Sequence, residues 1–432
     1  MYTDRMSGNQ TLILADDLTG ANDTAIQFVK QDFSALVIIR SDSADSGILE
    51  DYDVISINTN SRGMNPDDAY RAVYGTMKRL GFQKGCFVYK KVDSVLRGNP
   101  GRELAAVMDA LDIPLALAAP SFPANRSVLE KGRLYAGGNT GSGGIDAVQI
   151  FAEGTGRKTE NIPLDEIRKG LQAVVDFIIA RNNNDIQVFV ADAVNDEDLE
   201  IVYRASTALG RPHILAGSAG MANQFARDMG KAKAGSSGNK PPVFTPPLSP
   251  VLVIAGTRQG ETAVQISTLS RAMPVPVIRF RVRLIAEGKT EAAITEAYDE
   301  AVVCMQENAK LCIIAVESMF RAEVPVGELV KNYAEGDDAS AAISEALGIL
   351  TGKLCDAFKF PVILSTGGDT SLGICRSLGI NGIEPLAEIC PGIPLGRIAD
   401  GAYAGRFIIT KSGRFGNPNS LVEILNYLGV AQ

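Results

Sequence analysis

Histidine is almost missing from this sequence: His213 is the single one in 432 residues. One imidazole argues against a Ser-His-Asp triad, a histidine pair or a multi-histidine zinc site. His213 has nothing paired with it in sequence and reads as a structural residue beside a turn. The six cysteines are widely spaced, mostly in apolar segments, with no CxxC or Cys/His spacing. They read as reduced core thiols, not as a metal site or disulfide framework. No run reaches about 18 apolar residues, and the opening MYTDRMSGNQ has no apolar signal core. The expectation is a cytoplasmic protein with no membrane partner. Positive charge is in deficit, 42 Lys and Arg against 50 Asp and Glu, for a net charge of −8. That leaves no basic footprint for nucleic acid, so an anionic substrate needs a local cluster of cations. No GxxxxGK[ST] occurs, and no GxGxxG opens the first strand–helix unit. By motif this is neither an ordinary P-loop kinase nor a Rossmann dehydrogenase.

What is present is a large apolar fraction, 46%, enough for a sizeable core. Short apolar runs alternate with helical patterns along the whole chain. Residues 12–15, 34–39, 54–58, 86–90, 115–119 and 186–191 read as strands, and 67–80, 103–111, 164–181 and 197–209 as helices. Another helix begins near Met221. Alternation of this kind predicts an α/β protein of two domains, each a mostly parallel sheet flanked by helices. The stretch KAKAGSSGNKPPVFTPPLSP (231–250) carries five prolines and two glycines, the composition of a stiff spacer. The division expected is 1–235, a linker at 236–250, and 251–432. After the linker the pattern restarts: strands at 251–255, 277–280, 311–316 and 362–365, and helices from about 261, over 291–308 and over 339–359. The glycines of 137–144 (GGNTGSGG) read as a flexible, lid-like loop.

Chemistry concentrates first in TLILADDLTGANDTA (11–25). A buried strand ends in Asp16 and Asp17, then a glycine turn leads into a helix. Ligands of open α/β sheets gather at the carboxyl ends of strands, where a carboxylate serves as a general base. Such an aspartate also caps the following helix; both uses stand open here. Further polar groups follow other strand ends: Arg62, and the run Lys90, Lys91, Asp93, Ser94, Arg97 and Asn99. Arginine offers a fork for a carboxylate and lysine a point charge. The set suits a small hydroxy acid, with the cations for its carboxylate and an aspartate for its hydroxyl proton. Asp17 is the expected base, with Asp16 or Asp93 in reserve. Three strand–glycine–helix junctions, 217–220, 256–260 and 367–371, offer free helix N–H groups to phosphate. The two in the second half, with KSGRFG (411–416), point to a nucleotide there.

Taken together, ADDLTGANDTA (15–25), INTNSR (57–62), KKVDSVLRGN (90–99), the 217–220 turn, AGTRQGET (255–262), STGGDTS (365–371), PGIP (391–394) and KSGRFG (411–416) resemble the four-carbon acid sugar kinase family. The resemblance spans nearly the whole chain, in order. It implies a first domain that binds a sugar acid through Asp17, Arg62, Lys91, Asp93 and Ser94. It implies a second that binds ATP through Gly256, Thr257, Gly367, Gly368, Asp369, Thr370, Gly413 and Gly416. The activity implied is Mg²⁺- and ATP-dependent phosphorylation of the terminal hydroxyl of threonate or erythronate, with metal ligands unassigned. A 3-oxo-tetronate kinase and a non-catalytic acid-binding sensor are the alternatives. The partners implied are the sugar acid and ATP, with self-association left open.

Overall fold

The computed structural model describes residues 10–41, 51–80, 86–138, 143–233, 248–307, 310–320 and 337–430. The chain divides into two compact units, Met1–Pro241 and Pro242–Gln432. Most of the expected linker lies outside the described residues.

The first unit contains β1 (Thr11–Ala15), β2 (Ala35–Ile38), β3 (Val54–Asn58), β4 (Phe87–Lys91), β5 (Ala116–Ala119), β6 (Ser127–Glu130), β7 (Arg133–Ala136), β8 (Ile145–Asp146), β9 (Thr159–Ile162), β10 (Val188–Ala191) and β11 (Ile214–Gly217). Eight of them form one sheet in the order β2-β3-β1-β4-β11-β5-β10-β9, parallel at every pairing. TLILA, ALVI and VISIN are buried at every position. Strands with both faces covered have no polar alternation to show.

The helices decide where the sheet opens. Leu18–Val29, after β1, covers one face: Ser56 Oγ of β3 donates to its Ala21 carbonyl at 2.9 Å. Pro66–Leu80 and Pro100–Leu111, after β3 and β4, cover the other, where Val73, Met77, Leu104 and Val107 share a core with Leu12 and Leu14. The chain therefore leaves β1 and its two neighbours toward opposite faces. That is the switch point at which an open α/β sheet has its crevice, and Asp16 and Asp17 stand at its lip.

The second unit contains β12 (Val251–Ala255), β13 (Val277–Phe280), β14 (Leu311–Val316), β15 (Val362–Thr366), β16 (Gly382–Cys390), β17 (Ile393–Ile398) and β18 (Phe407–Lys411). Their order is β13-β14-β12-β15-β18-β17-β16. The run 13-14-12-15 repeats the run 2-3-1-4 of the first unit. Five strands pair in parallel, and β16 and β17 complete the sheet antiparallel.

One reading of the sequence changes. The helix expected at 164–181 is two, Leu164–Ile167 and Leu171–Asn182, parted by Gly170 at φ +106°. The helix expected near Met221 starts at Ala219. Residues 137–144, of which 139–142 lie outside the described residues, join β7 to β8 in a small antiparallel sheet with β6. All six cysteines are free, five of them buried and Cys86 partly so. Among the described residues no helix is long and apolar enough to cross a membrane.

Candidate active site

At the end of β1, Arg62 gathers the aspartates. Its Nε and Nη2 donate to Asp16 at 2.7 and 2.9 Å, a two-pronged pair. Its Nη1 reaches Asp17 at 2.6 Å, and Nη2 also lies 3.5 Å from Asp93. Asp17 does a second job: Oδ1 accepts the Gly20 N–H at 2.8 Å and Oδ2 the Thr19 hydroxyl at 2.6 Å. It is thus the N-cap of Leu18–Val29, and capping and a place in the charged cluster coexist. Arg97 folds back on Asp93, with Nε and Nη2 donating at 2.9 and 2.8 Å. Lys91 closes the group from β4. A Cβ on Gly20 would lie 2.6 Å from Asp17 Oδ1 and 3.0 Å from Lys91 Nζ, so a glycine there lets the ammonium approach the turn.

The three carboxylates differ in reach. Their side-chain exposures are 3% for Asp16, 7% for Asp93 and 14% for Asp17, beside 22% for Arg62 and 42% for Arg97. Burial pushes the Asp16 and Asp93 carboxyls up. The arginines facing them outweigh it, and both end below the ordinary carboxylate range. Asp16 and Asp93 are thereby weakened as proton acceptors.

Lys90 departs from its expected role in holding the acid. It is fully buried. Its ammonium meets Glu103 at 2.7 Å and donates to the carbonyls of Leu14 at 3.2 Å and Lys91 at 2.7 Å. With three partners for three protons it has no donor left for a ligand. Asn99 ties the 61–64 turn through the Met64 carbonyl at 2.9 Å. Ser94 is half-buried, its carbonyl accepting the Ser127 hydroxyl of β6. His213 keeps to its turn: Nδ1 sits 3.1 Å from the Arg211 carbonyl, and burial lowers its pKa.

In the second unit the order β12-β15-β18 sets three glycine-bearing turns side by side. The Gly367 N–H donates to the Lys411 carbonyl at 2.8 Å, and the Thr262 hydroxyl to the Gly413 carbonyl at 2.8 Å. The turns touch closely. A Cβ on Gly256 would lie 2.2 Å from Thr370 Oγ1, and one on Gly413 2.4 Å from Thr257 Oγ1. Helices Gly260–Ala272 and Gly368–Ser377 begin here, and neither N-cap, Gln259 or Gly367, makes a side-chain cap. Uncapped first-turn N–H groups favour an anion. Asp369, in the first turn of the second helix, accepts the Ser340 hydroxyl at 3.4 Å. Gly416 sits against Ser420 at the start of Ser420–Tyr427. The 217–220 junction differs. Ser218 Oγ accepts the Gly220 N–H at 3.0 Å and donates to the Ser121 carbonyl at 2.6 Å, while Tyr89 OH donates to the Ser218 carbonyl at 2.6 Å. That junction is closed by its own buried hydrogen bonds.

Two family models match these two halves: a sugar-binding N-terminal domain over residues 11–225 and a nucleotide-binding C-terminal domain over residues 252–421. A D-threonate kinase of Bordetella bronchiseptica is 29% identical over 97% of both chains. A D-erythronate kinase of Heliobacterium modesticaldum is 24% identical, again over 97% of both. A 3-oxo-tetronate kinase of Burkholderia multivorans is 26% identical over 93% of this chain and 94% of its own. The chain belongs to the four-carbon acid sugar kinase family. A solved Salmonella typhimurium LT2 protein, 20% identical, shares the fold with a TM-score of 0.74 over 97% of this chain and 99% of its own.

For a member of the four-carbon acid sugar kinase family, the sequence left several supporting residues unnamed. Glu103 is buried, pairing with Lys90 and accepting the Ser61 hydroxyl at 2.7 Å. Burial raises its carboxyl even with Lys90 beside it. Thr59 Oγ1 donates to the Ala15 carbonyl at 2.9 Å, tying β3 to the acidic turn. Gln265 holds the last turn through the carbonyls of Phe415 and Asn417, both at 3.0 Å. Glu103 and Gln265 are single polar residues inside helices, where sequence offers only a polar interruption of an apolar face as a signal, and Thr59 directly follows β3.

Proposed function

We infer that this protein transfers the γ-phosphoryl group of ATP to the terminal hydroxyl of a four-carbon sugar acid, threonate or erythronate. The observation that carries the reading is full-length similarity to kinases of these acids. The geometry supplies what such a reaction asks of each half. In the first unit, Arg62, Lys91 and Arg97 offer cations for the acid's carboxylate, with Asp93 and Ser94 beside them. Asp17 takes the proton from the attacking hydroxyl, since it has the most exposed side chain of the three aspartates and caps a rigid helix. Asp16 is the anchor of Arg62. In the second unit, the turns bearing Gly256, Thr257, Gly367, Gly368, Thr370, Gly413 and Gly416 cradle the phosphates of ATP.

Mg²⁺ is held by one or two carboxylates together with substrate phosphates. Asp369 and the Thr370 hydroxyl at an uncapped helix start fit that donor set. When bound, the ion offsets charge on the transferring phosphoryl group. A cytoplasmic setting belongs to the same reading.

Asp17→Asn tests the assignment of the base. Asparagine still caps a helix, so the fold is kept and the proton acceptor is lost. Turnover is expected to fall by about 10²- to 10⁴-fold, measured as acid-dependent ADP release. An unchanged rate removes Asp17 from the role. The similarity to a 3-oxo-tetronate kinase keeps 3-oxo-tetronate as the second candidate acceptor, distinguished by running both acids in that assay.

A further inference from the structure

Lys411 has no task in the reading above. It ends β18, and its side chain is fully buried. The ammonium donates to the Ser412 carbonyl at 3.0 Å and to Thr262 Oγ1 at 3.3 Å. Among the described residues no carboxylate forms an ion pair with it. Lys90, equally buried, shows the ordinary remedy in Glu103 at 2.7 Å. Burial pulls Lys411 down to about 8, with Glu261 acting weakly the other way. A buried cation without a counter-charge is costly, and such groups concentrate where a ligand completes them.

A second group lies next to it. Thr366 is fully buried, and its Oγ1 has no hydrogen-bond partner among the described residues. Thr366 is the register partner of Lys411 across β15 and β18, so both side chains leave the same face of the sheet. Thr366 and Lys411 also stand at the feet of two of the three glycine-bearing turns. The sequence has no GxxxxGK[ST] lysine, so that source of phosphate-directed charge is missing.

We propose that Lys411 is a positioning cation of the nucleotide half-site: from beneath the 411–416 turn it supplies the fixed positive charge that answers the polyphosphate of ATP, with the Thr366 hydroxyl completing the polar floor. The proposal rests on the reading that this unit binds ATP. A charge in a poorly polarisable interior acts more strongly than the same charge in water, so Lys411 need not touch the phosphates. The other charged side chains on the turns packed here are Arg258, Glu261, Asp369 and Arg414.

Calorimetric binding of MgATP and of adenosine to the full chain tests this, with Lys411→Met and Lys411→Arg as variants. The methionine variant should lose at least about tenfold in MgATP affinity, keep its adenosine affinity, and be partly rescued by arginine. In the wild type, MgATP affinity relative to adenosine should fall as pH rises from about 8 to about 10, and the methionine variant should lack that slope. Equal weakening of both ligands would mark a purely structural lysine and overturn the proposal. So would unchanged MgATP affinity. If the methionine variant does not fold, the wild-type slope decides alone, and a flat profile refutes the role. A wild-type chain that binds no MgATP at any pH overturns the nucleotide reading itself, and the Lys411 proposal with it.

Discussion

Arg62 holds Asp16 by two bonds and Asp17 by a third, so the chemistry of the acidic turn depends on one guanidinium. Replacing it with glutamine leaves buried Asp16 without its main counter-charge. Removing one partner of a buried pair costs about 3–5 kcal/mol, so the urea midpoint of Arg62→Gln should drop sharply and acid-dependent turnover should vanish. Arg62→Lys keeps the charge but not the fork, and should recover stability better than activity. The same turn sets a response to acid. Asp16 and Asp93 titrate below the ordinary 3.8 in the folded chain and near it when unfolded. Their stabilisation is therefore complete above about pH 5 and is lost as pH falls through 3.8 toward their folded values. Thermal melts from pH 6 down to pH 3 should show a steep loss that Asp93→Asn flattens. Glu103, raised by burial, contributes with the opposite sign around its ordinary 4.5, so Glu103→Gln should not flatten the loss.

At the scale of strands, helices and turns, the first unit was largely legible. TLILA followed by two aspartates could only be a buried strand meeting a turn, because a parallel strand covered on both faces leaves a continuous apolar run. The cation cluster was legible as a set, since Arg62, Lys91 and Arg97 all follow strand ends. Lys90 was not separable from Lys91 by type. Neighbouring positions on a strand face opposite sides of the sheet, and only packing shows that Lys90 points inward to Glu103. The β6–β7 hairpin was missed because its turn is Lys131-Gly132, both at positive φ, 52° and 70°. That is the geometry of a type I′ turn without the Asn-Gly signature. In β16, Pro385 and two register shifts against β17 break the alternation that marks a half-exposed strand. At 164–181 a helical pattern ran through Gly170, whose φ of +106° no helix accommodates. In the turns of the second unit, Gly413→Ala puts a Cβ 2.4 Å from Thr257 Oγ1 and 2.8 Å from Gln259 Cγ. Crowding of this kind costs about 1–3 kcal/mol locally. The KM for ATP should rise by tenfold or more, while calorimetric binding of the sugar acid alone stays unchanged. Loss of acid binding in that variant would contradict the division of tasks between the units.

For the molecule as a whole, the governing facts are two units that share a four-strand run in their sheets and a net charge of −8. An anionic acid must be captured by a few cations on a protein of its own sign. Screening weakens exposed charge pairs, and Arg97 is the most exposed of those cations. The KM for the acid should therefore rise severalfold between about 0.05 and 0.5 M salt, and less steeply in Arg97→Gln. Phosphoryl transfer to a four-carbon sugar acid is tested by coupled ADP release over a panel of such acids. ADP formation should depend on threonate or erythronate, with phosphate on the terminal oxygen, and nearly vanish in Asp17→Asn. Binding of these acids and of ATP with no ADP formed, or turnover confined to 3-oxo-tetronate, would contradict it.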